Sequence, residues 1–564
     1  MERYRAYGQE DDQPLSVGDE NFLGVDEYND PENVRPGYVQ NAINTDFTTG
    51  NAKTRGGFVC LPELGATPFG SVYASGSYSD PTAAGSTIWV MLVGANSVGF
   101  YAFGEASRTV SLGGYTVSEQ STIVQANNYV YIFRGSSQTP LRWNGDWNGT
   151  FTLAPSTTPA AGFTTVPNSN QATYYQNRLW VVNGKDEVAA SDVLDFSTYD
   201  LLANDFNVNT GDSDYLVATF PFGQTTLIVF KHKSIIALQQ VDGALTDVVA
   251  TEITRQVGLV GINAITSVGP DLAYVSDRNI NLLTLTNTNN AVQHKTLPLS
   301  APIQRIIKRV NWNQATKISL GYFDNKLYVA LPLDNSTSCN AVIVYNFVTE
   351  SWFGEWNFAT AIGMNIQGWR VVNYNGLSRL HAVTENGRIF VVEDGQNDIS
   401  GTTVSEISTS LTTRAYNTAN VDNQRGMLSN NHFQRRLYID IATLRPRFSV
   451  SSYTEGVNEE TVLLTNQTYT RSQSWLFADD PYDLTNANDD FNRAYRRDYS
   501  TGPASVQCGT GFLPEVVQNT RIPMITQRQG RLSWMKVTNT QGVLHIYGLG
   551  FEARAGQRSN TVQV

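Results

Sequence analysis

Seven short apolar runs recur along residues 85–400 at intervals of 42 to 55 residues. This repeat constrains the fold more than any other feature of the sequence. The runs are anchored at Ile88, Val130, Leu179, Leu227, Leu272, Leu327 and Leu380. Most lead through a Gly or Asn turn into a second apolar run, so each unit is interpreted as an inner strand buried on both faces, followed by its hairpin partner.

Hairpin units at this interval are typical of β-propeller blades, and the repeat therefore predicts a propeller of six or seven blades. A pair of β-sandwiches is the alternative, but sandwich strands recur every roughly 8–12 residues without a longer period. Arg55–Leu61 is the candidate for the N-terminal strand that closes the ring.

The composition supports an all-β chain. Of 564 residues, 45 are Gly and 20 are Pro, aromatic residues make up 11%, and charged residues make up only 16%. Many turns, many aromatic residues and few charges are characteristic of proteins with numerous short strands. The net charge of −12 argues against a protein that coats nucleic acid, because phosphate binding requires clustered Lys and Arg.

Three segments are predicted. Residues 1–60 form an acidic N-terminal arm that ends in the propeller-closing strand, residues 61–400 form the propeller, and residues 401–564 form a β-sandwich-like platform domain. In the platform domain, alternating apolar residues predict half-buried strands. These strands are Arg436–Ile441, Phe448–Val450, Thr461–Leu464, Arg531–Val537 and Val543–Tyr547.

A polar loop over about residues 478–500 interrupts the platform domain. Loops of this length in compact domains are usually functional or disordered. Arg493, Arg496 and Arg497 are therefore candidate contacts with a neighbouring subunit or partner, and a solvated surface loop is the alternative. Residues 1–50 carry a charge of −8 and residues 521–564 a charge of +5, which predicts attraction between neighbouring copies.

No recognisable catalytic or cofactor motif is present. The three cysteines (Cys60, Cys339 and Cys508) and the five histidines are too scattered for a disulfide framework or a local zinc site. We expect no cofactor and no metal. The N-terminus lacks an apolar leader, and no run of 18 apolar residues exists, so synthesis in a reducing cytoplasm without a membrane span is expected.

Three carboxylate pairs are candidates for acid/base or calcium sites: Asp192/Asp195, Asp212/Asp214 and Glu350/Glu355. Asp residues beside Gly and Ser favour Asx turns, so a turn role is the preferred interpretation and predicts bonds to nearby backbone N–H groups. The segment Trp143–Gly149 suggests either a sugar-stacking loop or hairpin turns flanked by aromatic anchors, of which the turns are the simpler explanation.

The segment from Gln176 to Lys231 resembles the central region of the tail nozzle proteins of short-tailed bacteriophages, also called tail tubular protein B or tail hub proteins. The similarity covers about residues 170–290 and continues through Thr254–Val260 and Asp271–Arg278. Its motifs mark turns and inner strands. The matching positions are Asn177, Arg178, Leu179, Trp180, Ser191, Asp192, Gly211, Asp212, Asp214, Pro221, Gly223, Phe230 and Lys231.

The resemblance implies a non-enzymatic structural protein of the virion tail, assembled in the host cytoplasm. Nozzle proteins form a homo-hexameric ring that extends the portal–adaptor channel and conducts double-stranded DNA during ejection. The implied partners are the tail adaptor protein, a tail fibre or spike, and a tail needle or plug. Two other functions are the alternatives: a propeller-fold glycan hydrolase or lyase, and a receptor-binding tail protein.

Overall fold

The computed structural model describes residues 15–61, 69–80, 87–154, 163–200, 204–285, 292–295, 297–374, 376–416, 432–454, 461–468, 520–530 and 532–555. The chain divides into two compact units. The propeller unit comprises residues 59–347 and 363–392, and the second unit comprises residues 1–58, 348–362 and 393–564, each as far as it is described.

Antiparallel sheets repeat around the propeller unit. Among the described residues, five of them have four strands. In chain order, blade 1 contains Ala74–Ser79, Ile88–Val93, Ser97–Tyr101 and Arg108–Ser111, and blade 2 contains Thr122–Ala126, Tyr129–Phe133, Leu141–Trp143 and Thr152–Leu153. Blade 3 contains Ala172–Tyr175, Arg178–Asn183, Glu187–Ala190 and Asp205–Asn207, and blade 4 contains Leu216–Phe222, Thr226–Lys231, Ile235–Gln239 and Val249–Thr254. Blade 5 contains Ile265–Val268, Asp271–Ser276, Asn279–Leu285 and Val292–His294.

A three-stranded sheet follows blade 5 and contains Ser319–Phe323, Lys326–Leu331 and Ala341–Asn346. The closing blade contains Ile366–Tyr374, Leu377–Thr384, Ile389–Val391 and the N-terminal strand Val59–Cys60. The first strand of this blade lies beside the first strands of both the three-stranded sheet and blade 1. The predicted β-propeller is thus confirmed, and the strand that closes its ring falls within Arg55–Leu61, as expected.

The seven anchor residues lie on the second strand of each sheet, so the predicted inner strand is preceded by a further strand that the apolar repeat does not mark. Val130, for example, lies on Tyr129–Phe133, which pairs with Thr122–Ala126 on one edge and Leu141–Trp143 on the other. A second strand is flanked on both edges and covered on both faces, so it is the most apolar strand of its blade. The innermost strands mix polar and apolar residues, which is why the apolar pattern did not reveal them.

The apolar core of the propeller unit is divided among the gaps between consecutive sheets. One cluster joins blades 1 and 2 around Trp89, Phe100 and Trp143, and another joins blades 3 and 4 around Trp180 and Leu227. Residues on one blade therefore depend on the next blade for burial, and closure of the ring provides the last pair of neighbours.

The remaining regular elements of the propeller unit are short. They are the pair Phe163–Thr164 with Tyr199–Asp200, the α-helix Gln304–Arg309, and the 3-10 helices Leu245–Asp247, Ala301–Ile303 and Trp312–Lys317. None of the helices in the described ranges is long and apolar enough to span a membrane.

The second unit is built around two strands of 23 residues each, His432–Thr454 and Ser533–Ala555. They pair antiparallel over almost their whole length and extend about 75 Å at the usual rise of a strand. The other elements of this unit are the strands Leu15–Asp19, Gly24–Val25, Tyr38–Ile43, Thr45–Asp46, Ala52–Thr54, Ser351–Asn357, Asn397–Ser400, Thr403–Glu406, Thr409–Thr413, Thr461–Thr468 and Thr520–Gly530, and the 3-10 helix Thr360–Ile362.

The arm and the C-terminal segment, predicted as separate parts, share this sheet. Leu15–Asp19 pairs with the end of Ser533–Ala555, and Tyr38–Ile43 pairs with Thr409–Thr413. The arm therefore supplies edges to the C-terminal strands, and an edge strand gains stability by such pairing. The predicted strands Arg436–Ile441 and Phe448–Val450 are parts of one continuous strand, because register shifts carry the pairing past the polar residues between them.

A fully buried arginine joins three segments of the second unit. Arg55 is 1% exposed and forms an ion pair of 2.7 Å with Asp398. Its Nε donates to Asn44 Oδ1 at 2.9 Å, and its remaining N–H groups donate to Asp398 and to the carbonyls of Gly56 and Asn357. All five N–H donors of this guanidinium are thus used.

Candidate functional site on blades 3 and 4

The first motif residues form a tight turn and a buried strand in blade 3. Gln176 and Asn177 have φ values of 51° and 56°, as a two-residue type I′ hairpin turn requires. Leu179 and Trp180, on the strand that follows, are fully buried. The indole N–H of Trp180 donates to the carbonyl of Tyr175 at 3.2 Å, so even its polar atom serves the hairpin.

Ser191 directly follows the next strand, Glu187–Ala190, and is fully buried. Its Oγ accepts a hydrogen bond from the N–H of Leu179 at 2.9 Å and donates to the carbonyl of Asp192 at the same distance. Arg178 Nη1 donates to the carbonyl of Ser191 at 2.8 Å, and burial lowers the pKa of Arg178. The Ser191 hydroxyl is thus hydrogen-bonded to local backbone groups. A catalytic serine would instead be hydrogen-bonded to a side-chain base.

The segment Asp192–Asp195 forms a turn. Asp195 accepts hydrogen bonds from the N–H of Ser197 at 3.0 Å and from the hydroxyl of Thr198 at 2.9 Å. Burial raises the pKa of Asp195, but these hydrogen bonds outweigh it and leave the pKa below its usual value. Asp192 instead accepts from Asn204 Nδ2 at 3.2 Å, so its carboxylate bonds to a side-chain amide rather than to the expected backbone N–H.

A buried lysine brings the second group of motif residues together. Lys231, the last residue of the second strand of blade 4, has a fully buried side chain. Its Nζ lies 2.8 Å from Asp186 Oδ1, 2.9 Å from Asp212 Oδ1 and 3.2 Å from the carbonyl of Asn209. We call Lys231, Asp186, Asp212 and Asn209 the lysine cluster. It ties the loop Val208–Tyr215 to a hairpin turn of blade 3 and a strand of blade 4.

Electrostatic interactions within the lysine cluster keep the Lys231 ammonium and the Asp186 carboxylate charged. Burial lowers the pKa of the Lys231 ammonium, but the hydrogen bonds to Asp186 and Asp212 outweigh burial and raise the pKa above its usual value. The hydrogen bond from Lys231 in turn lowers the pKa of Asp186. A lysine that acts as a base or nucleophile needs a depressed pKa, so this arrangement suits a structural ion pair.

Gly211 and Asp214 complete the loop. Gly211, at φ 87°, adopts a conformation that favours glycine, and its N–H donates to Asp186 Oδ2 at 3.2 Å. Asp214 accepts from the N–H of Lys233 at 3.0 Å and from the hydroxyl of Ser234 at 2.9 Å. Asp212 and Asp214 thus serve different partners and do not face one common point as a catalytic carboxylate pair would.

The innermost strands of blades 3 and 4 are joined by side chains. Gln171 Nε2 and Thr173 Oγ1 donate to the carbonyl of Thr219 at 3.1 and 2.8 Å. Pro221 lies on the same innermost strand as Thr219, and Gly223 has φ 65° in the turn that follows. The hydroxyl of Tyr175 donates to the carbonyl of Gly223 at 3.2 Å. Phe230, just before Lys231, is fully buried.

The other candidates from the sequence stand apart from this site. Glu350 lies exposed in a turn at φ 50°, whereas Glu355 is buried in the strand Ser351–Asn357. In Trp143–Gly149, Trp143 is buried and its N–H donates to the carbonyl of Asp146 at 2.8 Å, as expected of an aromatic anchor. Arg493, Arg496 and Arg497 lie outside the described residues, as does the loop at 478–500.

Sequence reasoning missed the partners of the motif residues. Asp186 and Asn209 complete the lysine cluster, and neither belongs to a recognisable pattern. One signal was available: Lys231 directly follows the apolar run Thr226–Phe230, and a charged residue at the end of a buried strand needs a counter-charge. Within the described parts of the chain, no group of three His, Cys, Asp or Glu is placed to hold a metal ion.

Comparison with known proteins gives structural neighbours only. No family model matches the chain, and no curated protein matches it. Virginiamycin B lyase from Staphylococcus aureus is 12% identical with a TM-score of 0.37, and the match covers 59% of this chain and 97% of the lyase. The extracellular domain of a hybrid two-component system from B. thetaiotaomicron is 10% identical with a TM-score of 0.40, over 73% and 50% of the two chains. The computationally designed Ika8 protein is 11% identical with a TM-score of 0.34, over 60% and 99%.

Proposed function

We propose that this protein is a tail nozzle subunit of a short-tailed bacteriophage. Six copies form a ring that continues the portal–adaptor channel and conducts double-stranded DNA during ejection. The adaptor protein, a fibre or spike and a needle or plug contact the ring. The propeller, the acidic net charge of −12 and the motif residues all support this proposal.

The observation that carries the proposal is the arrangement of the motif that resembles nozzle proteins. Asp212 and Lys231 are motif positions 19 residues apart in the chain that meet in the lysine cluster, and the N–H of the motif residue Gly211 donates to Asp186 of the same cluster. Each is engaged by neighbouring groups of blades 3 and 4. A motif whose residues hold two blades and a loop together is what a scaffold protein would retain.

The acidic charge also suits a DNA passage. A basic wall would attract the phosphate backbone and slow a DNA duplex that has to move through the channel. An acidic wall repels the phosphates, and salt limits that repulsion to about 10 Å.

The direct test is an image of the intact virion at subunit resolution, with mass photometry of particles taken apart in steps. Six copies in a ring below the adaptor are expected. A monomer within the particle, or a location outside the tail, would refute the proposal.

The proposal includes the absence of catalysis, which a second assay tests. Asp212→Ala and Asp214→Ala remove the carboxylates of the most prominent pair. If the wild-type protein hydrolysed host polysaccharide and either variant lost that activity while remaining folded, the chain would be a propeller enzyme. A wild type without hydrolysis would agree with the nozzle role.

A further inference from the structure

Two stretches of the propeller unit carry opposite charge. Residues 279–323 contain five Lys and Arg residues and no Asp or Glu, although the whole chain has a net charge of −12. Residues 186–230 contain eight Asp and Glu residues and no Lys or Arg. A surface that carries one sign of charge attracts a partner of the opposite sign, so each stretch is a candidate contact surface.

The basic stretch places an exposed leucine beside exposed cations. Leu297 is 75% exposed, and Lys295 nearby is also exposed. Arg305 and Lys308 lie about one turn apart on the outer side of the helix Gln304–Arg309, and neither forms an ion pair with a described residue. We call Lys295, Leu297, Arg305 and Lys308 the basic patch.

The acidic stretch places two exposed apolar residues between carboxylates. Val193 and Leu194 are 54% and 58% exposed in the turn that follows the third strand of blade 3. Leu194 has φ 60°, a conformation that is strained in leucine and that proteins keep mainly at functional sites. Asp192 and Asp195 flank the two residues, and the hydrogen bonds that they accept come from neutral groups. We call Asp192, Val193, Leu194 and Asp195 the acidic patch.

The two patches lie on opposite faces of the propeller unit. In an antiparallel sheet, the turn between the first and second strands lies at one end and the turn between the second and third strands at the other. The N–H of Leu194 donates at 2.9 Å to the carbonyl of Asn177, in the first of these turns of blade 3. Arg309, next to Lys308, pairs with Asp334 in the second of these turns of the three-stranded sheet. One copy therefore cannot bring its own two patches together.

We propose that the acidic patch of one copy of this chain docks on the basic patch of a second copy. Each patch has an apolar centre and a charged border, as protein interfaces commonly have, and the two borders have opposite signs. Because the patches are different surfaces, the contact is heterologous, and each copy can engage one neighbour through each patch. The proposed function implies a ring of copies; this inference names surfaces through which copies meet and does not rest on a role in the tail.

The test is self-association of the full-length protein, measured by sedimentation velocity at increasing concentration in low and high salt. We expect association that rises with concentration and weakens with salt. Arg305→Glu with Lys308→Glu changes the charge of the basic patch from +3 to −1. This basic-reversed variant should raise the dissociation constant by about tenfold or more, because the two patches then repel each other.

A second variant changes the charge of the acidic patch from −2 to +2 by Asp192→Asn, Val193→Lys, Leu194→Lys and Asp195→Asn. Asparagine keeps a side-chain oxygen as the hydrogen-bond acceptor that the turn requires. This acid-reversed variant should also associate weakly alone. An equimolar mixture of the two variants should associate again, because every contact in an alternating assembly then joins patches of opposite sign. A folding defect in either variant could not produce that recovery.

Arg35→Glu with Lys233→Glu is the matched control, because it makes the same change of charge as the basic-reversed variant at two exposed positions outside both patches. It should associate as the wild type does. A monomeric wild type, reversed variants that associate like the wild type, or a mixture that associates no better than its components would overturn the proposal. A monomeric wild type that instead bound double-stranded DNA through Arg305 and Lys308 would assign the basic patch to nucleic acid. A location outside the virion tail would refute the nozzle function alone.

Discussion

Buried charges in this protein differ in how completely neighbouring groups compensate them. Lys231 has two carboxylates and a carbonyl, and Arg55 has a bidentate carboxylate and three further acceptors. The half-buried Arg370 has two backbone carbonyls. Breaking a buried ion pair leaves one charge without a partner, which destabilises a fold far more than losing an exposed pair. The compensated charges therefore predict large effects of substitution.

Lys231→Met is expected to lower the free energy of unfolding by about 3 kcal/mol, because Asp186 and Asp212 lose their shared cation. Chemical denaturation monitored by tryptophan fluorescence measures the loss. Lys233→Met is the control, since Lys233 is exposed and should change stability little. Adding Asp186→Asn and Asp212→Asn to Lys231→Met should restore part of the stability; equal midpoints for the two single variants would contradict the role of the lysine cluster.

Arg55→Lys is expected to destabilise the protein by about 3 kcal/mol, although the charge is retained. The ammonium of lysine cannot make the two parallel bonds to Asp398 and the side bond to Asn44 that the guanidinium makes. Arg35→Lys is the matched control, because the side chain of Arg35 is 62% exposed. Denaturation midpoints that fall equally in both variants would show that the geometry around Arg55 does not matter.

Asp205 predicts a pH dependence of stability. Burial, aided by the nearby charge of Glu187, raises the pKa of Asp205 to about 6. The folded state then binds a proton more tightly than the unfolded state, so stability falls as pH rises from about 4 through about 6. Asp205→Asn should remove this dependence and stabilise the protein at neutral pH by about 1 kcal/mol, allowing for partial exposure.

Melting temperatures of the wild type and Asp205→Asn across this pH range test the prediction. The advantage of the variant should be largest at neutral pH and disappear near the pKa of an unfolded carboxyl group. Asp242→Asn, at an exposed position, serves as the control. A constant difference at every pH would be inconsistent with titration of Asp205.

At the scale of elements, the ring depends on a strand from the other end of the propeller sequence. Val59 and Cys60 pair with Val391 and Phe390, and the N–H of Leu61 donates to the carbonyl of Ile389 at 2.9 Å. These bonds join residues more than 300 positions apart in the chain. The closing blade can form completely only after most of the unit is synthesised, because long-range pairing comes late.

Leu61→Pro is expected to weaken this closure by about 2 kcal/mol, because proline cannot donate the hydrogen bond to Ile389. Hydrogen–deuterium exchange should rise in the strands Leu377–Thr384 and Ile389–Val391. Leu61→Ala removes the buried side chain but keeps the N–H group, so it reports the packing contribution alone. If Leu61→Pro and Leu61→Ala protected the closing blade equally from hydrogen–deuterium exchange, the backbone hydrogen bond of Leu61 would be unimportant.

At the scale of the whole molecule, the opposite charges of the two ends of the chain predict how copies associate. Residues 1–50 carry −8 and residues 521–564 carry +5, so contacts between copies should weaken with added salt. Mass photometry at increasing ionic strength is expected to show a ring that dissociates. Assembly unchanged by salt would indicate contacts that do not depend on these charges.

Under the proposed nozzle function, reversal of Arg493, Arg496 and Arg497 to Glu tests the predicted contact of their loop with a neighbouring subunit or tail partner. The sequence predicts a polar loop at these positions, and exposed charges contribute little to folding, so the isolated subunit should remain folded while tail assembly is impaired. Circular dichroism of the subunit and electron microscopy of the virions measure the two effects. Normal infectious particles from the triple variant would leave these arginines as part of a solvated loop.

The sequence alone determined the propeller, because one apolar run recurs in each blade. Leu179, Leu227 and Leu272 are each buried in a second strand, and burial on both faces demands an apolar run wherever such a strand occurs. The turns at Asn177 and Gly223 were equally readable, since positive φ favours Asn and Gly. The closing strand followed from the need to complete the ring.

Only the tertiary structure decided which polar residues meet. Asp186 and Lys231 lie 45 positions apart, and Arg55 and Asp398 lie 343 apart. No local sequence pattern predicts such pairs, because the partners of an ion pair must be close in space but can lie at any separation along the chain. The innermost strands were also not predictable from the sequence, because contacts with the neighbouring blades decide which of their residues are polar or apolar, and these contacts follow no period along the chain. Local periodicity reveals what is buried, and the three-dimensional fold alone assigns each buried charge its partner.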